Sequence, residues 1–254
     1  MRLESYLKKR LEEKDILLMT HIVLGYPSFK DSFDIIRAMV EAGVDIMELQ
    51  IPFSEPIADG PVILRANQKS IEAGATVRQS LELAGRATGT FDIPFLVMTY
   101  YNILFKFGVD RFASTMAEKG LKGAIVPDLP PEEGEEYLRA MEKNDLDPIL
   151  IFSPTTSLER MRYLADFSKG FVYCVARKGV TGSDTRFSED LSEYLSRCRS
   201  TTLLPLALGF GVKEKKDIDF LKGKVDIAVI GTQTIKIIEE HGVPSVGDFI
   251  RSLR

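Results

Sequence analysis

The sequence alternates between short apolar runs and longer stretches in which apolar residues recur every three or four positions. Runs rich in Val, Ile and Leu are typical of strands, and the longer periodic stretches are typical of amphipathic helices. Eight strands are therefore predicted, at Leu17–Leu24, Val44–Ile51, Pro94–Tyr100, Gly123–Asp128, Pro148–Phe152, Gly170–Ala176, Leu203–Leu208 and Asp226–Gly231. Helices are predicted between them, at Asp31–Ala42, Val109–Lys119, Glu132–Asn144, Leu158–Phe167 and Ser188–Arg197 among others.

Strands that are apolar throughout and alternate with helices indicate a parallel sheet that is buried on both faces. Eight such units predict an α/β fold, the (β/α)8 TIM barrel, as a single domain over residues 1–254. An extra amino-terminal helix is predicted, with an apolar face of Leu3, Tyr6, Leu7 and Leu11. The alternative is an open doubly wound sheet, which favours a glycine-rich phosphate turn after the first strand. The sequence LGYPS at Leu24–Ser28 favours the barrel instead.

The composition excludes several classes of function. A net charge of −4 argues against nucleic-acid binding, which needs a basic surface. No apolar run approaches the roughly 20 residues that span a membrane, and the charged amino terminus does not resemble a signal peptide. The two cysteines and two histidines do not form a metal-binding motif, so no metal is expected. This cysteine usage favours a cytoplasmic protein.

In a TIM barrel, function lies at the carboxyl ends of the strands, and this rule selects two carboxylates. Strand alternation places Met47 and Leu49 against the helices and Glu48 and Gln50 inside the barrel. A buried Glu48 is either a structural carboxylate satisfied by amides or an acid–base catalyst, and its place at the strand end favours catalysis. Asp59 alone would be interpreted as a turn-capping residue. Together with Glu48 it indicates two carboxylates with separate roles at one substrate.

Three glycine-containing turns follow the last three strands and predict a phosphate site. They lie at Arg177–Gly182, Leu208–Gly211 and Gly231–Gln233, and the last of them opens a short helix. Glycine allows backbone N–H groups to converge on an anion, and a helix amino terminus adds partial positive charge. The pocket between the turns and the carboxylates is predicted to be apolar.

Inward-facing positions at the barrel mouth include Tyr100 and Tyr173, which could contact a flat apolar substrate. Ile125 and Phe171 are interpreted as core residues. His21 is interpreted as a buried histidine whose polar atoms are satisfied, rather than as a catalytic residue. The amide of Gln50 is predicted to hydrogen-bond Glu48 or a substrate hydroxyl.

Several motifs together resemble the tryptophan synthase α subunit family over essentially the whole chain. They are LGYPS, ELQIPFSEPIADGP at Glu48–Pro61, VPDLPPEE at Val126–Glu133, GVTG at Gly179–Gly182, GFG at Gly209–Gly211 and the turn at Gly231. The resemblance implies a TIM barrel that cleaves indole-3-glycerol phosphate to indole and glyceraldehyde 3-phosphate in tryptophan biosynthesis. It also implies that no metal or organic cofactor is used.

The resemblance assigns a role to each matching residue. Glu48 would be the acid–base at the indole carbon, Asp59 would stabilise the indole N–H, and Thr181 would hold Asp59. The indole pocket would be lined by Tyr100, Ile125, Ile151 and Tyr173. The phosphate would be bound by Gly182, Phe210, Gly211, Gly231 and Thr232. Gln50 stands where the family usually has glycine, and His21 stands where an aromatic residue is frequent.

The resemblance further implies a pyridoxal-phosphate β subunit as partner, in an αββα heterotetramer. Two long segments, Pro52–Asn67 and Arg177–Phe187, are predicted as mobile loops at the mouth that this partner could close. Three alternative functions stay open: a Schiff-base aldolase that uses Lys178, a sugar-phosphate isomerase, and an α-subunit homologue with weakened catalysis that acts through its partner.

Overall fold

The computed structural model describes residues 2–176, 189–209 and 211–254. Within these ranges, nine strands form one parallel sheet in the order β5-β4-β3-β2-β1-β9-β8-β7-β6. They are β1 Leu17–Val23, β2 Ile46–Gln50, β3 Phe95–Met98, β4 Gly123–Ile125, β5 Asp147–Ile149, β6 Ile151–Phe152, β7 Val172–Val175, β8 Leu206–Gly209 and β9 Ile227–Ile230. All eight predicted strands are present, and most are shorter than predicted.

The predicted fifth strand is divided into β5 and β6, which Leu150 separates. These two short strands are the two ends of the sheet order, and they are also neighbours in the chain. The sheet therefore curves round into a nearly closed barrel, and the predicted TIM-barrel fold is confirmed. The Leu150 carbonyl accepts a hydrogen bond from the Tyr173 amide at 3.0 Å, which extends the β6–β7 pairing by one residue toward β5.

Helices surround the barrel, and a 3-10 turn at Pro131–Glu133 precedes one of them. In the part of the chain that the structure describes, they are α1 Leu3–Leu11, α2 Phe29–Glu41, α3 Pro61–Glu72, α4 Val77–Thr90, α5 Tyr101–Phe107, α6 Val109–Glu118, α7 Glu135–Lys143, α8 Leu158–Phe167, α9 Glu189–Arg199, α10 Lys215–Leu221, α11 Thr232–His241 and α12 Ser245–Ser252. Over the same ranges, no helix has both the length and the apolar character to cross a bilayer.

The apolar side chains divide into an outer and an inner core, as strand alternation requires. Met47 and Leu49 belong to the outer core between sheet and helices, whereas Ile46 belongs to the inner core inside the barrel. The predicted parity of this strand is confirmed. Glu48 and Gln50, which alternate with the outer pair, therefore extend toward the barrel interior.

Helix α1 lies at the amino-terminal end of the barrel, under the inner core. Leu3 and Leu7 are almost fully buried and belong to the inner core. Asp45 is buried beside them and accepts a hydrogen bond from the Leu18 amide. Its carboxylate also forms ion pairs with three cations, which tie both chain termini to this end of the barrel: Arg10, Lys14 and Arg254.

The prediction of a loop over Pro52–Asn67 is wrong for its second half, because α3 begins at Pro61. Proline is favourable in the first helical turn, where its missing N–H would have no helical partner and its φ already suits the helix. The mouth segment after β2 is therefore short and ends at Gly60. Asp59 lies immediately before this helix rather than in the middle of a long loop.

Candidate active site

Glu48 lies in the middle of the barrel mouth on β2, where its register partners are His21 on β1 and Leu96 on β3. The residue is only 3% exposed, and its Oε2 atom has no hydrogen-bond partner among the described residues. Burial and, to a smaller extent, the nearby Asp59 carboxylate raise the pKa of Glu48 to about 8, although a hydrogen bond with the Tyr173 hydroxyl opposes the rise. Glu48 is thus a protonated carboxylic acid at neutral pH.

Asp59 is half-buried and its surroundings are polar. Its Oδ2 atom accepts hydrogen bonds from Gln50 Nε2 at 2.6 Å and from the Tyr100 hydroxyl at 3.1 Å. Burial raises the pKa of Asp59, while His21 and these two hydrogen bonds oppose the rise. The site therefore contains one carboxyl whose side-chain donor is Tyr173 and one carboxylate that two donors, Gln50 and Tyr100, hold in place.

Gln50 is fully buried and extends inward, as predicted, but its predicted hydrogen bond to Glu48 is absent from the described structure. Its amide instead connects two other groups: Oε1 lies 2.8 Å from His21 Nε2, and Nε2 donates to Asp59. The reason is charge. An amide NH2 prefers an ionised acceptor, which Asp59 offers and a protonated Glu48 does not.

An aromatic and apolar wall lies beside the carboxylates. Tyr100 is fully buried, its hydroxyl accepts a hydrogen bond from the Ala58 amide at 3.1 Å, and its ring stacks on Phe53 at 5.0 Å between centroids. Ile125 belongs to the same inner core. Phe53 was not predicted from the sequence. Its position in the mouth segment, two residues after Ile51, is the signal that identifies it as a candidate site residue.

Tyr173 and Ile151 lie at the edge of the inner core and are half-buried. A Cβ atom added at Gly209 would lie 2.8 Å from the Tyr173 hydroxyl and 2.7 Å from its ring. Glycine at position 209 therefore leaves the space that the Tyr173 ring occupies beside Glu48. Burial, together with Glu48 and Asp59, raises the pKa of Tyr173 well above its usual value, so the phenol keeps its proton.

The predicted phosphate turns are described in part. Gly231 precedes α11, whose first residue is Thr232, so a helix amino terminus opens at the mouth as predicted. Gly211 has a φ of +96°, and a Cβ atom there would meet open space. Thr181, Gly182, Phe210 and the alternative residue Lys178 lie outside the described residues. In the described parts, no group of three or more acidic, histidine or cysteine side chains could hold a metal ion.

Comparisons with known proteins identify the family of this chain. A family model described as "Tryptophan synthase alpha chain" matches residues 7–247. The tryptophan synthase alpha chains of Desulforapulum autotrophicum and Syntrophotalea carbinolica are 63% and 59% identical to this chain. Each alignment covers 99% of this chain, and 99% and 100% of the respective relative.

A comparison of three-dimensional structures leads to the same enzyme. A solved structure of Mycobacterium tuberculosis tryptophan synthase superposes with a TM-score of 0.93 at 31% identity, covering 99% of this chain and 96% of that chain. The superposition therefore extends over nearly the whole barrel. This chain belongs to the tryptophan synthase alpha chain family and is an indole-3-glycerol-phosphate lyase of tryptophan biosynthesis.

Proposed function

We propose that Glu48 and Asp59 divide the chemistry of indole-3-glycerol phosphate cleavage between them, with Glu48 as the proton donor and Asp59 as the fixed negative charge. The observation that supports this division is the difference between their surroundings. Glu48 keeps its proton at neutral pH because it is buried, whereas Asp59 is held by Gln50 and Tyr100 through hydrogen bonds that favour its charged form.

Cleavage requires electrons to flow from the breaking carbon–carbon bond into the indole ring. Protonation of the ring carbon by Glu48 makes the ring an electron acceptor, and the adjacent glycerol hydroxyl then loses its proton and becomes the aldehyde. The Glu48 carboxylate formed in the first step is the base for that second proton. One side chain thus acts first as acid and then as base, and the products are indole and glyceraldehyde 3-phosphate.

Asp59 stabilises the positive charge that builds on the ring when the carbon is protonated. A carboxylate beside the indole N–H lowers the energy of that cation more than the energy of the neutral substrate, which is the requirement for catalysis. The hydrogen bonds at Oδ2 leave Oδ1 without a hydrogen bond from any described residue. We assign Oδ1 to the indole N–H.

The remaining site residues bind the two halves of the substrate. The indole half is assigned to Tyr100, Ile125, Ile151 and Tyr173. The phosphate half is assigned to the open space at Gly211 and to the amino terminus of α11 at Gly231 and Thr232, where N–H groups and the helix dipole favour an anion. By resemblance to the family, Thr181, Gly182 and Phe210 complete this half.

The partner is inferred from the relatives. The superposed solved structure is of a tryptophan synthase, and the family name of this chain denotes its alpha chain. We infer that this chain assembles with a β subunit into an αββα heterotetramer, so that the indole is consumed next to the site that releases it.

The experiment that tests the proposed roles is indole release from indole-3-glycerol phosphate by the purified chain. Glu48→Gln keeps the shape of the side chain but cannot donate the proton, so turnover is expected to fall by roughly 10² to 10⁴-fold with substrate affinity retained. The matched control is Glu72→Gln, the same change at an exposed position of α3, which should retain full activity.

Activity of Glu48→Gln within a few-fold of the unmodified chain would remove Glu48 from the mechanism. The same preparation distinguishes the alternatives. A Schiff-base aldolase would be trapped covalently by borohydride in the presence of substrate. A homologue with weakened catalysis would release indole at a rate that the Glu48→Gln change does not alter.

A further inference from the structure

His21 is a buried polar residue for which the proposed chemistry has no use. It is 5% exposed, lies opposite Glu48 in the register of β1 and β2, and contacts Gln50 through Nε2. Its other ring nitrogen, Nδ1, is buried and has no hydrogen-bond partner among the described residues. A Cβ atom on Gly231 would lie 3.3 Å from this Nδ1, so the free nitrogen faces the turn that opens α11.

The hydrogen bonds of Gln50 determine where the proton of His21 lies. The NH2 end of the amide must face the Asp59 carboxylate, because a carboxylate only accepts hydrogen bonds. The carbonyl end therefore faces His21, and His21 must donate to it from Nε2. In a neutral imidazole only one nitrogen carries a proton, so Nδ1 is left with a free lone pair.

A buried acceptor without a donor costs free energy, which a ligand that supplies a donor would recover. Building on the proposed function, we propose that His21 is a substrate-binding residue whose Nδ1 accepts a hydrogen bond from a glycerol hydroxyl of the substrate, and that Gln50 is the positioning residue that holds His21 in the required tautomer. Glycerol hydroxyls adjoin the phosphate group, and the phosphate is assigned to the turn at Gly231 that Nδ1 faces.

The neutral form of His21 excludes the phosphate itself as the partner of Nδ1, since a lone pair repels an anionic oxygen. Burial lowers the pKa of His21, and the nearby Asp59 carboxylate and the Gln50 hydrogen bond oppose this effect. The other titratable group that faces His21 in the strand register is Glu48, which is protonated and adds no charge at neutral pH.

Gln50 connects this contact to the proposed catalytic carboxylate. One amide fixes the acceptor for the glycerol half of the substrate and also the carboxylate assigned to the indole half. Loss of the amide should therefore affect substrate affinity through His21 and turnover through Asp59. Replacement of a residue that only fills space would not change substrate affinity and turnover through two separate groups.

The first test determines the tautomer in the unmodified chain. The sequence has only two histidines, His21 and the exposed His241, so a spectrum of ¹⁵N-labelled histidine contains the signals of two rings, one buried and one exposed. The expected result at pH 7 is a neutral His21 ring with the proton on Nε2. A proton on Nδ1, or a charged ring, would overturn the proposal without any variant having to fold.

The second test compares two ligands in the variant His21→Phe. Indole-3-glycerol phosphate carries the hydroxyls, whereas indole-3-propanol phosphate keeps the ring and phosphate but lacks them. Loss of one hydrogen bond should raise the KM for the substrate by about 3- to 10-fold and leave the inhibition constant of the propanol phosphate within two-fold. Gln50→Met should shift the same ratio in the same direction and, unlike His21→Phe, should also lower kcat.

Three outcomes of this comparison would count against the proposal. An equal loss of affinity for both ligands would place His21 against the ring or phosphate, or indicate a damaged pocket. No change for either ligand would leave His21 as a structural residue. An unchanged kcat in Gln50→Met would remove its positioning role. Failure of the proposed function itself is separate, since the unmodified chain would then release no indole.

Discussion

The proposed roles of Glu48 and Asp59 have opposite protonation requirements, although both residues lie in one barrel mouth. Glu48 must keep its proton until the substrate takes it, and its burial meets this requirement. Asp59 must stay charged, and Gln50 and Tyr100 meet that requirement with donated hydrogen bonds. One pocket thus supports two different protonation states, because hydrogen-bond donors are concentrated around Asp59.

A pH profile of kcat/KM should show both requirements. Activity is expected to fall above pH of about 8, where Glu48 loses its proton, and to fall on the acid side where Asp59 gains one. Tyr173→Phe removes an interaction that lowers the pKa of Glu48, so the alkaline limb should move to higher pH while the acid limb stays in place. The control is Tyr163→Phe on the exposed face of α8, and an equal shift in both variants would contradict this assignment.

The buried carboxyl of Glu48 should also make the stability of the protein depend on pH. Its pKa is about 8 in the folded chain and roughly 4.3 in an unfolded one. Because the folded state holds this proton more tightly, Glu48 favours folding at low pH and loses that contribution as the pH rises through 8. Glu48→Gln has no carboxyl to ionise at this position and does not lose stability in this way. The Tm of the variant minus the Tm of the unmodified chain should therefore be larger at pH 9 than at pH 5.

Thermal melts at both pH values check this expectation, with Glu72→Gln on the surface of α3 as the control. A Tm difference between Glu48→Gln and the unmodified chain that is the same at pH 5 and pH 9 would contradict it. Such a result would mean that Glu48 is ionised in the folded protein at both pH values. The proton-donor role would then lose its basis.

Sequence alone predicted the side chains that face the mouth, because strand alternation fixes direction once Met47 and Leu49 are assigned to the outer core. It did not predict the hydrogen-bond partners of Gln50. Those partners are Asp59, which lies in the segment between β2 and α3, and His21, which lies on β1. Alternation along one strand contains no information about side chains from other elements, so this part of the site required the three-dimensional structure.

Among the elements, the strands were predicted best, because a continuous apolar run needs burial on both faces wherever it lies. The division at Leu150 was not predicted, since Leu150 continues the apolar run in the sequence and no polar residue marks the break. Helix α3 was also missed. Pro and Gly around residues 60 and 61 indicated a loop, although Pro61 in fact occupies the first helical turn.

Helix α1 contributes to stability through its two inner-core leucines. Leu7 is fully buried at the amino-terminal end of the barrel, and Leu7→Ala should cost about 2–5 kcal/mol in the free energy of unfolding. Leu11 lies on the same helix but is only half-buried, so Leu11→Ala is the control and should cost less. Denaturant unfolding measures both, and equal losses would mean that α1 does not fill the barrel end as described.

For the whole molecule, the proposed β subunit should bind at the mouth and raise the rate of indole release. Phe105 on α5, which follows β3 at the mouth, is 67% exposed, and Leu203 before β8 at the opposite end is 93% exposed. Phe105→Asp should weaken binding of the β subunit by about tenfold or more and reduce activation, because burial of an aromatic side chain is lost. Basal turnover should not change.

Leu203→Asp is the matched control, since it places the same charge on an exposed apolar position at the far end of the barrel. It should bind the β subunit normally. Equal weakening in both variants, or no activation of the unmodified chain, would contradict docking at the mouth. The proposed catalytic roles of Glu48 and Asp59 would be unaffected by either result.

The position of α1 also has a kinetic consequence. Among the described residues, Leu3 and Leu7 cover the amino-terminal end of the barrel, so substrate reaches the site from the opposite end, the mouth. Substrate enters and both product fragments leave through the mouth. A fragment that still occupies the mouth therefore blocks entry of the next substrate. A neighbouring subunit that covers the mouth would receive the indole before it diffused into bulk water.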